Sequence, residues 1–195
     1  MKFVVVAGSQ RPGSQSLKVA TFVARLLKQK DAYNQAVVLD LGTLRLPRYE
    51  GDDEGDWPGM QVELVEASGV VLVTPEWAGM ASPALKNLLF LATGGELADK
   101  PALLIGVSSG LGGTYPIAEL RMAAGKNTHV CMMPDHLVVR GVESVFNGEE
   151  PESDADSRLR ERTRHCAEAL VAYAKAFVTL RAELAPHRQR FPYGM

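Results

Sequence analysis

The sequence predicts a doubly wound α/β protein, in which a parallel five-stranded sheet is covered by helices on both faces to give a three-layer sandwich. Three observations predict it. Apolar runs of strand length recur at residues 3–7, 37–39, 70–74, 102–107 and 129–132. Stretches of helical period alternate with them, at 16–30, 58–67, 83–91, 117–126 and about 157–184. The strand runs are continuously apolar, which requires both faces to be covered, and single-helix crossovers require parallel pairing.

The elements follow in order. The first run, FVVVA, is rich in β-branched residues and stops at Gly8, and the helical period after it starts near Ser16. The second run ends at Asp40, and Pro58 opens the next helix. VVLVT runs into Pro75, and Pro83 opens a helix; ALLIGV is followed by a glycine-rich turn and the helix at 117–126. HVCM is the last strand. The acidic stretch GEEPESDAD at 148–156 reads as a mobile, solvated connection into the final helix, where Arg158, Arg160, Arg162 and Arg164 follow the acids. In that helix Leu159, Thr163, Cys166, Leu170, Tyr173, Phe177, Leu180 and Leu184 form a stripe, long enough to lie along the sheet and extend beyond it.

At 195 residues and 46% hydrophobic, the chain suits one domain spanning 1–195. Five strands favour the order 2-1-3-4-5, the flavodoxin-like arrangement, in which ligands bind beyond the carboxyl ends of the strands where the winding reverses. The loops after strands one, three and four are therefore the expected site.

Composition excludes several functions. A net charge of −2 from interspersed acids and bases offers no field for nucleic acid or anionic lipid. Cys131 and Cys166 form neither a disulfide framework nor a zinc pair, and His129, His136, His165 and His187 lack metal-ligand spacing, so no metal is expected. The opening MKFVVVAGS is too short for a signal core or a membrane span, which makes a cytoplasmic protein the expectation.

The first loop, GSQRPGSQS, narrowly misses a P-loop: Gly8 and Gly13 have the spacing, but Ser14 stands where the lysine belongs. Ser9, Ser14 and Ser16 offer hydroxyls and Arg11 a charged fork beside a helix start, which suits a terminal monophosphate better than a metal-bound polyphosphate. In the second loop, TPEWAGMASPALKNLL, Pro75, Gly79 and Pro83 fix an extended path and Trp77 can lie beside a planar ring. The third, VSSGLGGTYP, has three glycines in four positions that let the backbone approach a ligand closely.

Together these loops resemble the NADPH-dependent FMN reductase family, flavodoxin-like enzymes that include quinone, chromate and azo-dye reductases; the resemblance covers about residues 3–140. The family motif GSxRxxSxN is matched by Gly8, Ser9, Arg11 and Ser14, with Ser16 replacing the asparagine. PEYNxSxPGxLKNxxD is matched by Pro75, Glu76, Leu85, Lys86 and Asn87. There Trp77 replaces a tyrosine, Ala78 an asparagine, Ser82-Pro83 a Pro-Gly, and Phe90 an acid. SxGxxGGxRAxxxLR is matched by Ser108, Gly110, Gly113, Leu120 and Arg121, with Tyr115 at the arginine position.

The resemblance implies FMN as cofactor, held by Ser9, Arg11, Ser14, Ser16 and Leu17, by Pro75, Glu76, Trp77, Ala78 and Gly79, and by Ser108, Ser109, Gly110 and Gly113. It implies NADPH or NADH as co-substrate, a quinone-like acceptor bound in turn near Trp77, Gly79 and Tyr115, and a homodimer or homotetramer. Because flavin carries the redox chemistry, no catalytic side chain is expected. Two other readings stand beside it. Ala78 and Tyr115 are compatible with a relative that binds flavin weakly or not at all and acts as a binding or regulatory protein. An electron-transfer flavodoxin shares the sheet order, but the near-neutral charge and Arg11 argue against it.

Overall fold

The computed structural model of the chain describes residues 1–30, 34–51 and 53–193. Its sheet consists of β1 (Lys2–Ala7), β2 (Gln35–Asp40), β3 (Gly69–Pro75), β4 (Pro101–Val107) and β5 (Cys131–Val139), all parallel and in the order 2-1-3-4-5. The crossover helices are α1 (Gln15–Lys30), α2 (Trp57–Glu66), α3 (Pro83–Leu91), α4 (Tyr115–Ala123) and the short α5 (Gly125–Thr128), and α6 (Asp154–Arg190) closes the chain.

Strand alternation separates two cores. Val5, Val71, Val73, Leu103 and Ile105 pack with residues of α1 and α6 on one face, whereas Val4, Val6, Leu72 and Leu104 pack with those of α2, α3 and α4 on the other. Both sides of each central strand are thus buried, which is why the strands read as unbroken apolar runs.

Three boundaries depart from the sequence reading. The fifth strand, expected at 129–132, starts later because His129 adopts φ 52°, a left-handed cap that ends α5. It then runs to Val139 through Pro134, which an edge strand tolerates, and the register shift opposite Ala102 and Leu104 absorbs the proline. The expected helix at 117–126 is two helices, α4 and α5.

The final helix extends to Arg190, and burial along it ends at Ala174. Past that point it returns to its own chain, where Arg181 donates to the Ser68 carbonyl at 3.1 Å and Arg188 pairs with Asp99. The acid-rich connection is also not simply solvated. The Asp156 carboxylate is fully buried, pairs with Arg160, and accepts the N–H groups of Phe146 (3.1 Å) and Glu152 (3.2 Å). Arg160 in turn donates to the carbonyls of Gly148 and Glu149 and lies over the Phe22 and Phe146 rings.

Candidate functional site: a cleft where three loops converge

At the carboxyl ends of β1, β3 and β4 a cleft of about 420 Å³ is lined by residues of all three following loops. Gly8 brings the first loop against the sheet. Its N–H donates to the Val73 carbonyl at 2.7 Å, and a Cβ there would stand 2.6 Å from that oxygen, so only glycine fits. The Ser9 hydroxyl accepts the Arg11 N–H at 3.2 Å and folds the loop back. Ser14 caps α1 by accepting the Leu17 N–H at 3.2 Å.

These arrangements leave donors without acceptors. The first-turn amides of Gln15 and Ser16 have no intrahelical partner. Ser16 is 1% exposed and lines the cleft, yet its hydroxyl has no partner among the described residues. Arg11 pairs with no carboxylate among them; its guanidinium lies over the Trp77 ring. A cluster of unpaired donors with positive charge at a helix start fits a phosphate. This first loop therefore suits the phosphate end of FMN.

The second loop is a tight hairpin. Trp77 and Met80 exchange backbone hydrogen bonds of 3.1 and 2.9 Å, and the two residues between them, Ala78 and Gly79, have φ of 50° and 75°. Positive φ at both central positions defines a type I′ turn, for which Asn-Gly is the favoured pair. The asparagine of the family motif is thus a turn former at this position, and Ala78 keeps the turn at some backbone cost.

Ser82 carries out the other departure from the motif. Its hydroxyl caps α3 by accepting the Leu85 N–H at 3.2 Å and donates to the Gly8 carbonyl, while Pro83 occupies the first helical turn. Glu119 of α4 accepts the Ala81 N–H at 2.6 Å and pairs with Lys86 at 3.0 Å. The Ala81 N–H above all, and then Lys86, hold its carboxyl below the usual carboxylate range against the opposing effect of burial. Asn87 donates to the Pro47 carbonyl at 2.7 Å, and Phe90 packs on Tyr49. The Leu-Lys-Asn part of the motif therefore braces the loop.

The third loop is held by the second: the Glu76 carboxylate accepts the Gly113 N–H, and the Glu76 N–H donates to the Val107 carbonyl at 2.9 Å. The Ser108 hydroxyl accepts the Gly110 N–H at 3.1 Å.

Ser9, Arg11, Ser14, Ser16, Pro75, Glu76, Trp77, Ser108 and Ser109 line the one cleft. Ala78 and Gly79 form the exposed turn after Trp77, and Gly110 and Gly113 lie further along the third loop. Leu17 lines a neighbouring cavity of about 550 Å³ instead, and Tyr115, at the start of α4, is not among the cleft residues. Sequence reading missed Val142 and Glu143, which come from a 3-10 turn (Val142–Ser144) after β5 and complete the wall. That turn is fixed to the third loop by the Val142 N–H donating to Ser108 and the Gly141 N–H donating to Gly110, both at 3.2 Å. No motif marks it.

The parallel sheet order, with helices on both faces and a cleft at the carboxyl ends of its strands, defines a flavodoxin-like protein. The family model for NADPH-dependent FMN reductases matches residues 1–143, and the chain belongs to that family of oxidoreductases, whose cofactor is FMN. An NADPH azoreductase of Bacillus sp. (strain OY1-2) is 31% identical over 153 residues, 76% of this chain and 82% of that protein. A 2-hydroxy-1,4-benzoquinone reductase of Burkholderia sp. is 28% identical over 171 residues, 82% of this chain and 85% of that protein. Among solved structures, the apo form of an NADH:FMN oxidoreductase superposes with a TM-score of 0.71 at 19% identity, covering 86% of this chain and 89% of its own, a likeness of fold. Among the described residues no helix is long and apolar enough to cross a membrane.

Proposed function

We propose that this chain holds FMN in the three-loop cleft and passes electrons from NADPH or NADH to a quinone or another small planar acceptor in the cytoplasm. Ser9, Arg11, Ser14, Ser16 and the α1 amides would receive the phosphate, and Trp77 with the backbone of the second and third loops would flank the ring. When bound, FMN supplies the redox chemistry. The chain's residues bind and orient it. No side chain is assigned as catalytic acid or base. Trp77, Gly79 and Tyr115 are assigned to the substrate side, where nicotinamide and acceptor would occupy one face in turn, a ping-pong scheme.

One observation carries the reading: Arg11 and Ser16 offer donors that are unpaired among the described residues, in a cleft that also presents an aromatic ring. The relatives' names support the acceptor class, since azo dyes and benzoquinones are both flat, electron-poor π systems. The type I′ turn at Ala78 and Gly79 weighs against a non-binding relative, because the substitution leaves the loop geometry in place. Leu111, Tyr115 and Met122 are exposed apolar groups at the third loop and on α4, which supports a homodimer or homotetramer; sedimentation velocity tests this.

The test is an absorption spectrum before and after FMN is added, then after anaerobic NADPH. Flavin bands that bleach support the reading, and parallel double-reciprocal lines with a benzoquinone support the ping-pong order. A protein that stays colourless at micromolar FMN overturns it.

A further inference from the structure

Lys18 lies in the first turns of α1, just past the phosphate loop. Its ammonium donates to the carbonyls of Val142 (2.7 Å) and Val145 (2.9 Å) and to Asn147 Oδ1 (2.7 Å), which uses all three of its donors. The three acceptors lie on one turn following β5, and that turn brings Val142 and Glu143 to the cleft. The helix that carries Lys18 supplies the opposite side, through Ser14, Gln15 and Ser16.

The other polar anchors of the turn lead elsewhere. Val142 is bonded to Ser108 beyond β4, and Phe146 to Asp156 of α6. Besides Lys18, α1 reaches the turn region through the stacked Phe22 and Phe146 rings, 4.3 Å apart, and through the exposed Arg25–Glu149 pair, neither of which bonds the backbone of the turn. Partial burial pulls the Lys18 pKa down, against the carboxylates of Asp156, Glu143 and Glu152, as expected where fixed carbonyls replace water around an ammonium.

We propose that Lys18 is a positioning residue for the cofactor cleft: it clamps the 142–147 turn to α1 and so sets the separation between the phosphate-binding loop and the wall that carries Val142 and Glu143. The inference rests on FMN occupying the cleft. A ligand that touches both sides binds best when their spacing is fixed beforehand, and loosening one side speeds its release.

The experiment titrates FMN into wild type, Lys18→Met and Lys18→Arg by flavin fluorescence, with hydrogen exchange followed across 142–147 in each protein without ligand. Wild-type binding tests the functional reading separately from the clamp. Lys18→Met is expected to raise the FMN Kd about tenfold, which corresponds to losing a charged hydrogen-bonded group, and to speed exchange in the turn. Lys18→Arg, which keeps the charge and the donors, is expected to restore most of both. Asn147→Ala removes one acceptor without touching α1 and should raise Kd about threefold; it decides the matter if Lys18→Met does not fold. Unchanged exchange at 142–147 in Lys18→Met overturns the clamp even if FMN fails to bind. A Kd within about twofold of wild type, with only the melting temperature lowered, reduces Lys18 to a structural residue.

Discussion

The guanidinium of Arg11 lies over the indole of Trp77, with Cζ 5.0 Å from the ring centroid, so a cation on the first loop rests on an aromatic ring of the second. The face of a guanidinium can stack on an indole while its in-plane N–H groups remain free for an anion.

Replacing Arg11 therefore removes both the donor proposed for the phosphate and a contact between loops. Arg11→Ala should raise the FMN Kd by about 10- to 100-fold, the range of a charge-assisted hydrogen bond. Arg11→Lys should recover only part of that, since an ammonium has no flat face for Trp77. Fluorescence titration at fixed ionic strength measures both, and equal affinities for the lysine variant and wild type would refute the stacking role.

The turn after Trp77 gives a prediction of opposite sign. Ala78 has φ 50°, where a Cβ costs about 1 kcal/mol. Ala78→Gly and Ala78→Asn should each stabilise the fold by about 0.5–1 kcal/mol while leaving FMN affinity nearly unchanged. Gly79→Ala, at φ 75°, should destabilise it by a similar amount. Urea melts provide the check.

Asp156 predicts a response to acid. Burial pushes its carboxyl up, but Arg160 and the N–H groups of Phe146 and Glu152 outweigh burial and hold it below the usual carboxylate range. A folded-state pKa below the unfolded one contributes stability that is complete at neutral pH and is lost as pH falls below about 4. Asp156→Asn leaves Arg160 buried without its partner and should cost about 3 kcal/mol at pH 7, and about 1 kcal/mol less near pH 3. Melts of both proteins at the two pH values test this, and a pH-independent difference would contradict it.

Lys100 predicts a response to base. It is buried, its Nζ donates to the carbonyls of Leu64 and Val65 at 2.6 Å, and burial above all, then Arg181, brings its pKa down to about 8. Above that value the unfolded chain holds more protons than the folded one, so stability from this group rises with pH until the unfolded lysine titrates. Between pH 7.5 and 9.5 the gain should reach about 1–2 kcal/mol, and Lys100→Met should lack it. Parallel urea melts of the two proteins at both pH values compare the slopes.

The central strands, their order and the three loops that line the cleft were legible because each is written locally: an apolar run, a glycine at a close approach, serines at a helix start. Other features depend on partners far away in the chain. Asp156 and Arg160 look like one more surface pair on a charged helix, and only the packing of Phe22 and Phe146 reveals that they are buried. Val142 and Glu143 carry no motif, and they reach the cleft because β5 ends beside β4. Ala78 stands in the sequence as a replaced asparagine, and its positive φ, which places the consequence in the backbone, is visible only in the fold.

Ser82 limits how interchangeable the loops of this family are. Its single hydroxyl serves the Leu85 amide and the Gly8 carbonyl, so the start of α3 and the end of β1 share one joint. A chimera that imports a relative's Pro-Gly at 82–83 removes that joint from both segments together. Loop grafting to change the acceptor therefore has to carry residues 8–16 and 75–83 as a matched set.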